Sequence, residues 1–432
     1  MSRIVRTLRA RYVFPGAGPP VRDGTVTFAD GRIVAVGSSS AGDAEDLGNV
    51  ALLPGLVNAH THLELSDLRA PLGEPGVGMV DWIRRVIQYR RSAAETGIAP
   101  AKGTVPFSLR ENWDSPHPTS PQPTSAVEMG LRESVRLGTT ALGEIAQPGW
   151  SIGPFQQAPG AAVVFLELIA PQADRVAATM ELARQHLQAA EGASAWRPGL
   201  SPHAPYSVHP ELLRQVVALS AAQRVPLAVH LAESREELEL LRTGGGPFEQ
   251  LLEELGAWNP TARQPAMGPL DYLRMLARAD RALVIHGNYL GDEEIALLAE
   301  NRRRMSVVYC PRTHAWFGHK PYPLERLLKA GAAVALGTDS RASAPDLSIL
   351  AEMRAVAGNH PAVSSEEVLR LGTVYGARAL GLDDTGSLEP GRWADLAVVA
   401  LPDRQAADPY ELIFDSDRPV TATYVRGTHV PG

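Results

Sequence analysis

From Pro54 onward, short apolar runs alternate with longer amphipathic stretches, and no other feature of this chain restricts its fold as strongly. Eight runs carry strand character: LPGLVNA, TTALGEI, AVVFLEL, PGLSPH, PLAVHL, ALVIHG, MSVVYC and AVALGTD. Between them lie segments such as PELLRQVVALSAAQ, beginning at Pro210, and EEIALLAENRRR after Asp292, whose apolar positions recur at helical spacing. Strands that alternate with helices build parallel βα units. Eight such units in about 330 residues predict an α/β fold, a (β/α)8 barrel of the TIM type. A doubly wound open sheet is the alternative, and it would bring a Gly-rich phosphate loop. The chain has no GxxxxGK[ST], and Gly244–Gly246 follows a charged helix rather than a strand.

The two ends of the chain read differently. IVRTLRARYVF, TVTFADG and RIVAVG mix β-branched and polar residues, and Asp30-Gly31 is a strong hairpin signal. After the turn-rich Gly386–Gly391, WADLAVVAL and ATYVRG resume strand character. Residues 1–53 plus 384–432 are therefore expected to form one small β-sandwich domain, with the barrel at 54–383. Two insertions break the rhythm. Residues 99–125, rich in Pro, Ser and Thr, are either an ordered flap over the site or a disordered surface loop. Residues 243–271 hold a short helix between breakers.

Composition narrows the function. A net charge of −7 gives no electrostatic reason to bind nucleic acid or an anionic membrane, so a small molecule is the expected partner. The single cysteine, Cys310, excludes an internal disulfide and excludes the HxE…PCxxC zinc site of cytidine-type deaminases. With no apolar run long enough to span a bilayer and no signal-peptide pattern at the N-terminus, the expected location is cytoplasmic. The oligomeric state is left open, a homo-oligomer included.

Twelve histidines are present, and four of them end apolar runs: His60 and His62 after LLPGLVNA, His230 in PLAVH and His286 in ALVIH. A parallel barrel gathers its catalytic groups at the C-terminal ends of its strands, where packing alone would place apolar residues. His60 and His62, two apart, point to one face of a strand and can reach one ion. Neutral imidazoles suit zinc, a carboxylate can complete the set, and Asp339 at the end of VALGTD is the natural candidate. His230 is followed three residues later by Glu233. A carboxyl group there can exchange protons beside a metal site, although an ordinary surface Glu before the charged SREELELL is the alternative.

Together these residues resemble the amidohydrolase superfamily, and within it the mononuclear deaminase and chlorohydrolase branch that acts on aminopurine, cytosine and triazine rings. The matching motifs are PGLVNAHTH at 54–62, HAPYS at 203–207, HLAE at 230–233, VIHG at 284–287, LGTDS at 336–340 and GSLEPGRWADL at 386–396. The resemblance covers nearly the whole chain. It implies a distorted barrel with a sandwich made from both termini. It further implies one zinc held by His60, His62, His230 and Asp339, with iron also accepted by such a set. Glu233 would shuttle a proton to the ring nitrogen and then to departing ammonia, Asp339 would help deprotonate water, and His286 would orient the attacking oxygen and stabilise developing charge. His203 would contact substrate.

Dinuclear relatives usually bridge two metals with a carboxylated lysine ending the fourth strand. No lysine occurs between Lys102 and Lys320, so a single metal is expected; a second would need a carboxylate such as Glu144 or Glu167. Retention of Glu233 favours ammonia as the leaving group, because an amine must be protonated before it departs. The expected reaction is zinc-dependent hydrolytic deamination of an aminated heterocycle, an adenine-type nucleoside first. A cyclic amide or triazine-type C–N or C–Cl hydrolase is the alternative, and a catalytically inactive barrel used as a binding protein is the alternative of another class. For substrate recognition, Glu64 stands just past the ligand pair in HTHLE, a stretch similar to aminodeoxyfutalosine deaminases. Trp82 either stacks on a ring or packs on the barrel rim. Arg312, His314 and His319 occupy a segment, CPRTHAWFGHKPYP, unlike the CPxSN type. His117, His186, His209, His360 and His429 are expected to be solvated.

Overall fold

Each of the eight apolar runs supplies one strand of a parallel barrel. The computed structural model describes residues 5–38, 44–95, 125–190, 192, 196–259 and 266–430. Of the 99–125 insertion only Ser125, the N-cap of the helix Ala126–Arg136, lies among them, so the choice between flap and disordered loop falls outside the described residues. In chain order the strands are β1 (Val5–Val13), β2 (Val21–Ala29), β3 (Arg32–Gly37), β4 (Glu45–Asp46), β5 (Val50–Pro54), β6 (Leu56–Thr61), β7 (Thr139–Ala146) and β8 (Ala161–Leu168). They continue with β9 (Arg197–Pro202), β10 (Pro226–Leu231), β11 (Arg281–His286), β12 (Met305–Tyr309), β13 (Ala333–Leu336), β14 (Leu396–Ala400), β15 (Val420–Val425) and β16 (Thr428–Val430).

Strands β6 to β13 pair side by side in sequence order, all parallel. The first and last meet through a parallel bridge between Thr61 and Asp339 and through Thr338 N–H and Asp339 N–H, which both donate to the His60 carbonyl at 3.1 Å. Asn58 reinforces the seam: its Nδ2 donates to Thr338 Oγ1 at 2.7 Å, and its Oδ1 accepts from Thr338 N–H at 3.1 Å. Strands buried on both faces read as unbroken apolar runs, which is why all eight were legible. Side chains fill the barrel interior. Phe165 lies so close to Gly199 that a Cβ there would come within 2.4 Å of the ring, so β9 needs glycine at that position.

One run is divided. LPGLVNA splits at Gly55 between β5, in the terminal sheet, and β6, in the barrel. A Cβ at Gly55 would fall 2.1 Å from Thr140 Oγ1, so the close passage of the chain between the two layers requires glycine. The chain ends do pair. β5 runs antiparallel to β14, with Pro54 opposite Leu396, and the path β16-β15-β14-β5-β1-β2-β3 includes strands from both termini. It folds over on itself: Phe28 of β2 meets Tyr424 of β15, ring centroids 6.4 Å apart, although three strands separate them in the path. Alternation assigns the faces. Leu52, Leu396 and Val398 enter the core of the sandwich, while Ala51, Leu53, Ala397 and Val399 face the barrel and its helices. Asp30 and Gly31 turn the hairpin between β2 and β3 with φ of 52° and 76°, the left-handed conformations that such a turn demands. The helix expected over EEIALLAENRRR ends earlier, at Glu300, and Asn301 caps it. Among the described residues no helix is long and apolar enough to cross a membrane.

Two histidines expected to be solvated are buried. His360 sits with Nδ1 2.9 Å from Glu325, and His186 packs on Trp150 and Trp196 with Nε2 3.0 Å from the Val164 carbonyl. Burial pushes the His186 imidazole down to about 4, only partly offset by its backbone contacts. The unfolded chain, with a pKa near about 6.5, then binds more protons than the folded chain as pH falls through that window. Stability is therefore lost on acidification. Between about pH 7 and about pH 5 the expected loss is about 2 kcal/mol, and His186→Gln should remove it. Urea unfolding at both pH values checks this; equal losses in the two proteins would contradict it.

Candidate active site

Strand ends bring the predicted residues together at one end of the barrel. His60 is the penultimate residue of β6 and His62 follows that strand; His230 lies within β10, His286 ends β11, and Asp339 follows β13. All five are buried. The His60 ring lies 4.9 Å from His62, 5.0 Å from His230 and 5.6 Å from His286, centroid to centroid. Asp339 Oδ1 is 3.7 Å from Nε2 of both His60 and His62. Donor atoms of His60, His62 and Asp339 lie within 4.8 Å of one another, as do those of His60, His230 and His286, so His60 is shared by two overlapping groups that could each hold a metal ion.

The chemistry of these donors fits a cation. Both ring nitrogens of His60 are buried, and neither has a hydrogen-bond partner among the described residues. Leaving such atoms unpaired is costly unless a ligand takes them. His230 lies with Nδ1 3.2 Å from the His203 carbonyl, which as a donor contact leaves Nε2 free with its lone pair, the arrangement typical of metal-binding imidazoles. Burial lowers both His62 and His230 well below the ordinary imidazole range, which favours the neutral form a metal needs. Asp339 behaves oppositely. Burial alone would raise it, but the imidazoles of His60, His286 and His62 hold it well below the ordinary carboxyl range. Its Oδ2 accepts from Ser343 Oγ at 2.9 Å.

Glu233 is also buried, with Oε1 3.2 Å from His286 Nε2. Burial, then the negative charge of Asp339, raises the Glu233 carboxyl well above its ordinary value, so it is held ready to carry a proton. Burial pushes His286 down to about 3 despite the attraction of Asp339. The imidazole therefore stays neutral and can share a hydrogen bond with that carboxyl.

Strained backbone aims these groups. Ala232, His286 and Asp339, none of them glycine, have φ of 53°, 65° and 56°, a conformation costing about 1–2 kcal/mol each. Hydrogen bonds hold each turn. The Glu237 carboxylate accepts from Ala232 N–H at 3.0 Å and Glu233 N–H at 2.8 Å; Tyr322 OH donates to the His286 carbonyl at 2.8 Å; Thr61 Oγ1 donates to the Asp339 carbonyl at 2.9 Å. Glu237 was missed from the sequence, although the Ser234-x-x-Glu237 spacing of a helix start signals it. Ser234 caps the helix Arg235–Thr243, and the Glu237 side chain reaches past the cap to the preceding turn.

The expected substrate residues separate into two groups. His203 and Trp82 line the cavity next to His230 and Glu233. His203 follows β9, with Nδ1 2.7 Å from Ser207 Oγ and Nε2 3.8 Å from Glu167. The Trp82 indole N–H donates to the Ala342 carbonyl at 2.9 Å and the ring meets Phe317 edge-on, so it is fixed on the rim while facing the cavity. Glu64 and Arg312 are not among the lining residues. Glu64 is drawn into an ion pair with Arg90, and it is Arg90, which the sequence did not single out, that lines the cavity. Arg312 is bound to Glu352 at 2.5 Å and Asp346 at 2.9 Å; this pairing holds the helix Pro311–Trp316 to the helix Ile349–Asn359. His314 and His319 likewise lie off the wall, His319 paired with Tyr289 OH at 2.9 Å. Glu144, considered above as a bridge, instead accepts the Leu63 N–H at 3.1 and 3.0 Å.

Known proteins are similar to this chain in sequence and fold. The amidohydrolase family matches residues 51–430. A 5-methylthioadenosine/S-adenosylhomocysteine deaminase of Moorella thermoacetica is 29% identical over 410 residues, spanning 90% of this chain and 84% of its own. Aminofutalosine deaminase of Helicobacter pylori, solved with methylthio-coformycin, is similar in fold with a TM-score of 0.80 at 23% identity, covering 98% of this chain and 100% of that one. An adenosine deaminase of Xanthomonas campestris with bound zinc gives 0.72 at 24% identity, covering 98% and 92%. Since the family match takes in the whole barrel and the C-terminal strands β14, β15 and β16 of the terminal sheet, the chain belongs to the amidohydrolase family.

Proposed function

We propose that this chain hydrolytically deaminates an adenine-type nucleoside, using one zinc ion held by His60, His62, His230 and Asp339. The observation that carries the reading is Glu233: a buried carboxyl with a raised proton affinity, 3.2 Å from a neutral His286 and beside a cluster of metal-type donors. The names of the relatives, deaminases of methylthioadenosine and of adenosine, support the same chemistry. Zinc in the Xanthomonas campestris structure and the imidazole-rich donor set support that metal, and the same donors accept iron.

A zinc ion there supplies Lewis acidity, lowering the pKa of a water molecule and stabilising negative charge. The chain's residues manage the protons. Glu233 gives its proton to the ring nitrogen next to the amino-bearing carbon, which makes that carbon electrophilic. Water oxygen bonds to the carbon, and Asp339 takes up one of the water protons. Transfer of that proton to the amino group lets the C–N bond break and ammonia leave, and the remaining hydroxyl proton passes to Glu233 as the carbonyl forms, which restores its carboxyl. His286, in contact with Glu233, orients the attacking oxygen. His203 and Trp82 position the substrate at the cavity wall. We take residues 1–53 plus 384–432 as the sandwich domain and 54–383 as the barrel, and the single buried cysteine fits a reducing cytoplasm.

Ammonia release from methylthioadenosine, adenosine, cytosine, guanine and triazines tests the reading. Ammonia in step with loss of an adenine nucleoside is expected. Chloride from a chlorotriazine, or ring opening without ammonia, would replace it with the cyclic amide or triazine alternative.

A further inference from the structure

Much of the cavity wall is hydrocarbon. Met79, Ile83, Val86 and Ile87 line it from the helix Met79–Glu95, and Leu252 and Leu255 from the helix Pro247–Glu254 and its end. The two helices are laced together by Arg84, whose Nε and Nη2 bind the two Glu254 oxygens at 3.0 and 2.8 Å. Among the described lining residues Arg90 is the one Lys or Arg. Its guanidinium is already in an ion pair with Glu64, and Glu167, buried on the same wall, adds a second negative charge that acts on it. Arg90 Nε has no partner among the described residues, which leaves a donor for a neutral sugar oxygen.

With the purine ring held by Glu233 and His286, the rest of a nucleoside must lie along the remaining wall. An anionic group placed there would be stripped of water against hydrocarbon. It could engage Arg90 only in competition with two carboxylates already in place. A thioether or methyl group would instead bury apolar surface against the same side chains. We propose that this cavity selects nucleosides with an uncharged, apolar 5′ substituent over those bearing a 5′ phosphate or an amino-acid tail. The inference rests on the deaminase reading above and deepens it.

Two measurements on the zinc-loaded full chain test the selection. In kinetics, kcat/KM for methylthioadenosine should exceed that for adenosine 5′-monophosphate by at least about 100-fold and that for S-adenosylhomocysteine by about 10-fold. Leu255→Arg, which places a cation on the apolar wall, should narrow the first ratio by about 10-fold. In thermal unfolding, methylthio-coformycin should raise the Tm more than coformycin 5′-phosphate does at equal concentration. Equal turnover of the phosphate and the thioether, with ammonia formed from both, would overturn the selection and leave the deaminase reading standing. Absence of ammonia from every adenine nucleoside would overturn the deaminase reading, and the thermal comparison would still decide the selection: equal Tm increases would sink it.

Discussion

Glu233→Gln is expected to lower kcat for an adenine nucleoside by about 10²–10⁴-fold while leaving bound metal and Tm close to wild type. The amide matches the carboxyl in shape and can keep the contact to His286 Nε2, now 3.2 Å away, so the wall of the site should not collapse. What it cannot do is deliver and recover a proton. The backbone that aims this side chain is gripped independently, by Glu237 on the N–H groups of Ala232 and Glu233 and by Asn288 Nδ2 on the Glu233 carbonyl at 2.8 Å. Steady-state kinetics with metal analysis of the same preparation checks the point. Full activity in the variant would remove Glu233 from the proposed chemistry.

A larger effect is expected at His60. It belongs to both groups of donor atoms, and among the described residues both of its ring nitrogens lack other partners. His60→Ala should therefore abolish tight zinc binding, leaving less than about 0.1 equivalent after dialysis, and lower activity by about 10³-fold or more, the scale of losing both the ion and its charge stabilisation. Stripping the wild-type protein with a chelator should lower its Tm, since a ligand that binds the folded state stabilises it by mass action. The His60→Ala protein should not respond to the chelator. Elemental analysis with thermal unfolding separates this from simple misfolding. Undiminished zinc in a folded His60→Ala protein would contradict the proposed ligand set.

The sequence was most informative where a local pattern has one structural solution. The strands were readable because a strand buried on both faces is a short unbroken apolar run, and His60, His62, His230 and His286 stood out because imidazoles at such ends serve no packing purpose. The pairing of the chain ends could only be inferred. What decides it is the register of Leu396 opposite Pro54, between residues hundreds of positions apart. Likewise, nothing local marks Glu64 as the partner of Arg90, or Arg312 as the partner of Glu352 and Asp346; those pairings depend on how separate helices and loops pack. His186 sits in the amphipathic helix Val176–Ala189, but its ring turns inward between Trp150 and Trp196. The left-handed turns at Ala232, His286 and Asp339 were invisible for a different reason. Glycine is the residue that normally advertises such a turn; here side-chain hydrogen bonds, from nearby Glu237 at Ala232 and from the distant Tyr322 and Thr61 at His286 and Asp339, hold it in place of glycine.

A deaminase that works with one metal ion should respond to zinc in a single step. Adding zinc stepwise to the stripped wild-type chain, while following ammonia release from methylthioadenosine, tests it most directly. Activity is expected to rise linearly and to reach its plateau at one equivalent per chain. Activity that appears only as a second equivalent binds would contradict it, and would direct attention to Glu144 and Glu167, the two buried carboxylates at β7 and β8.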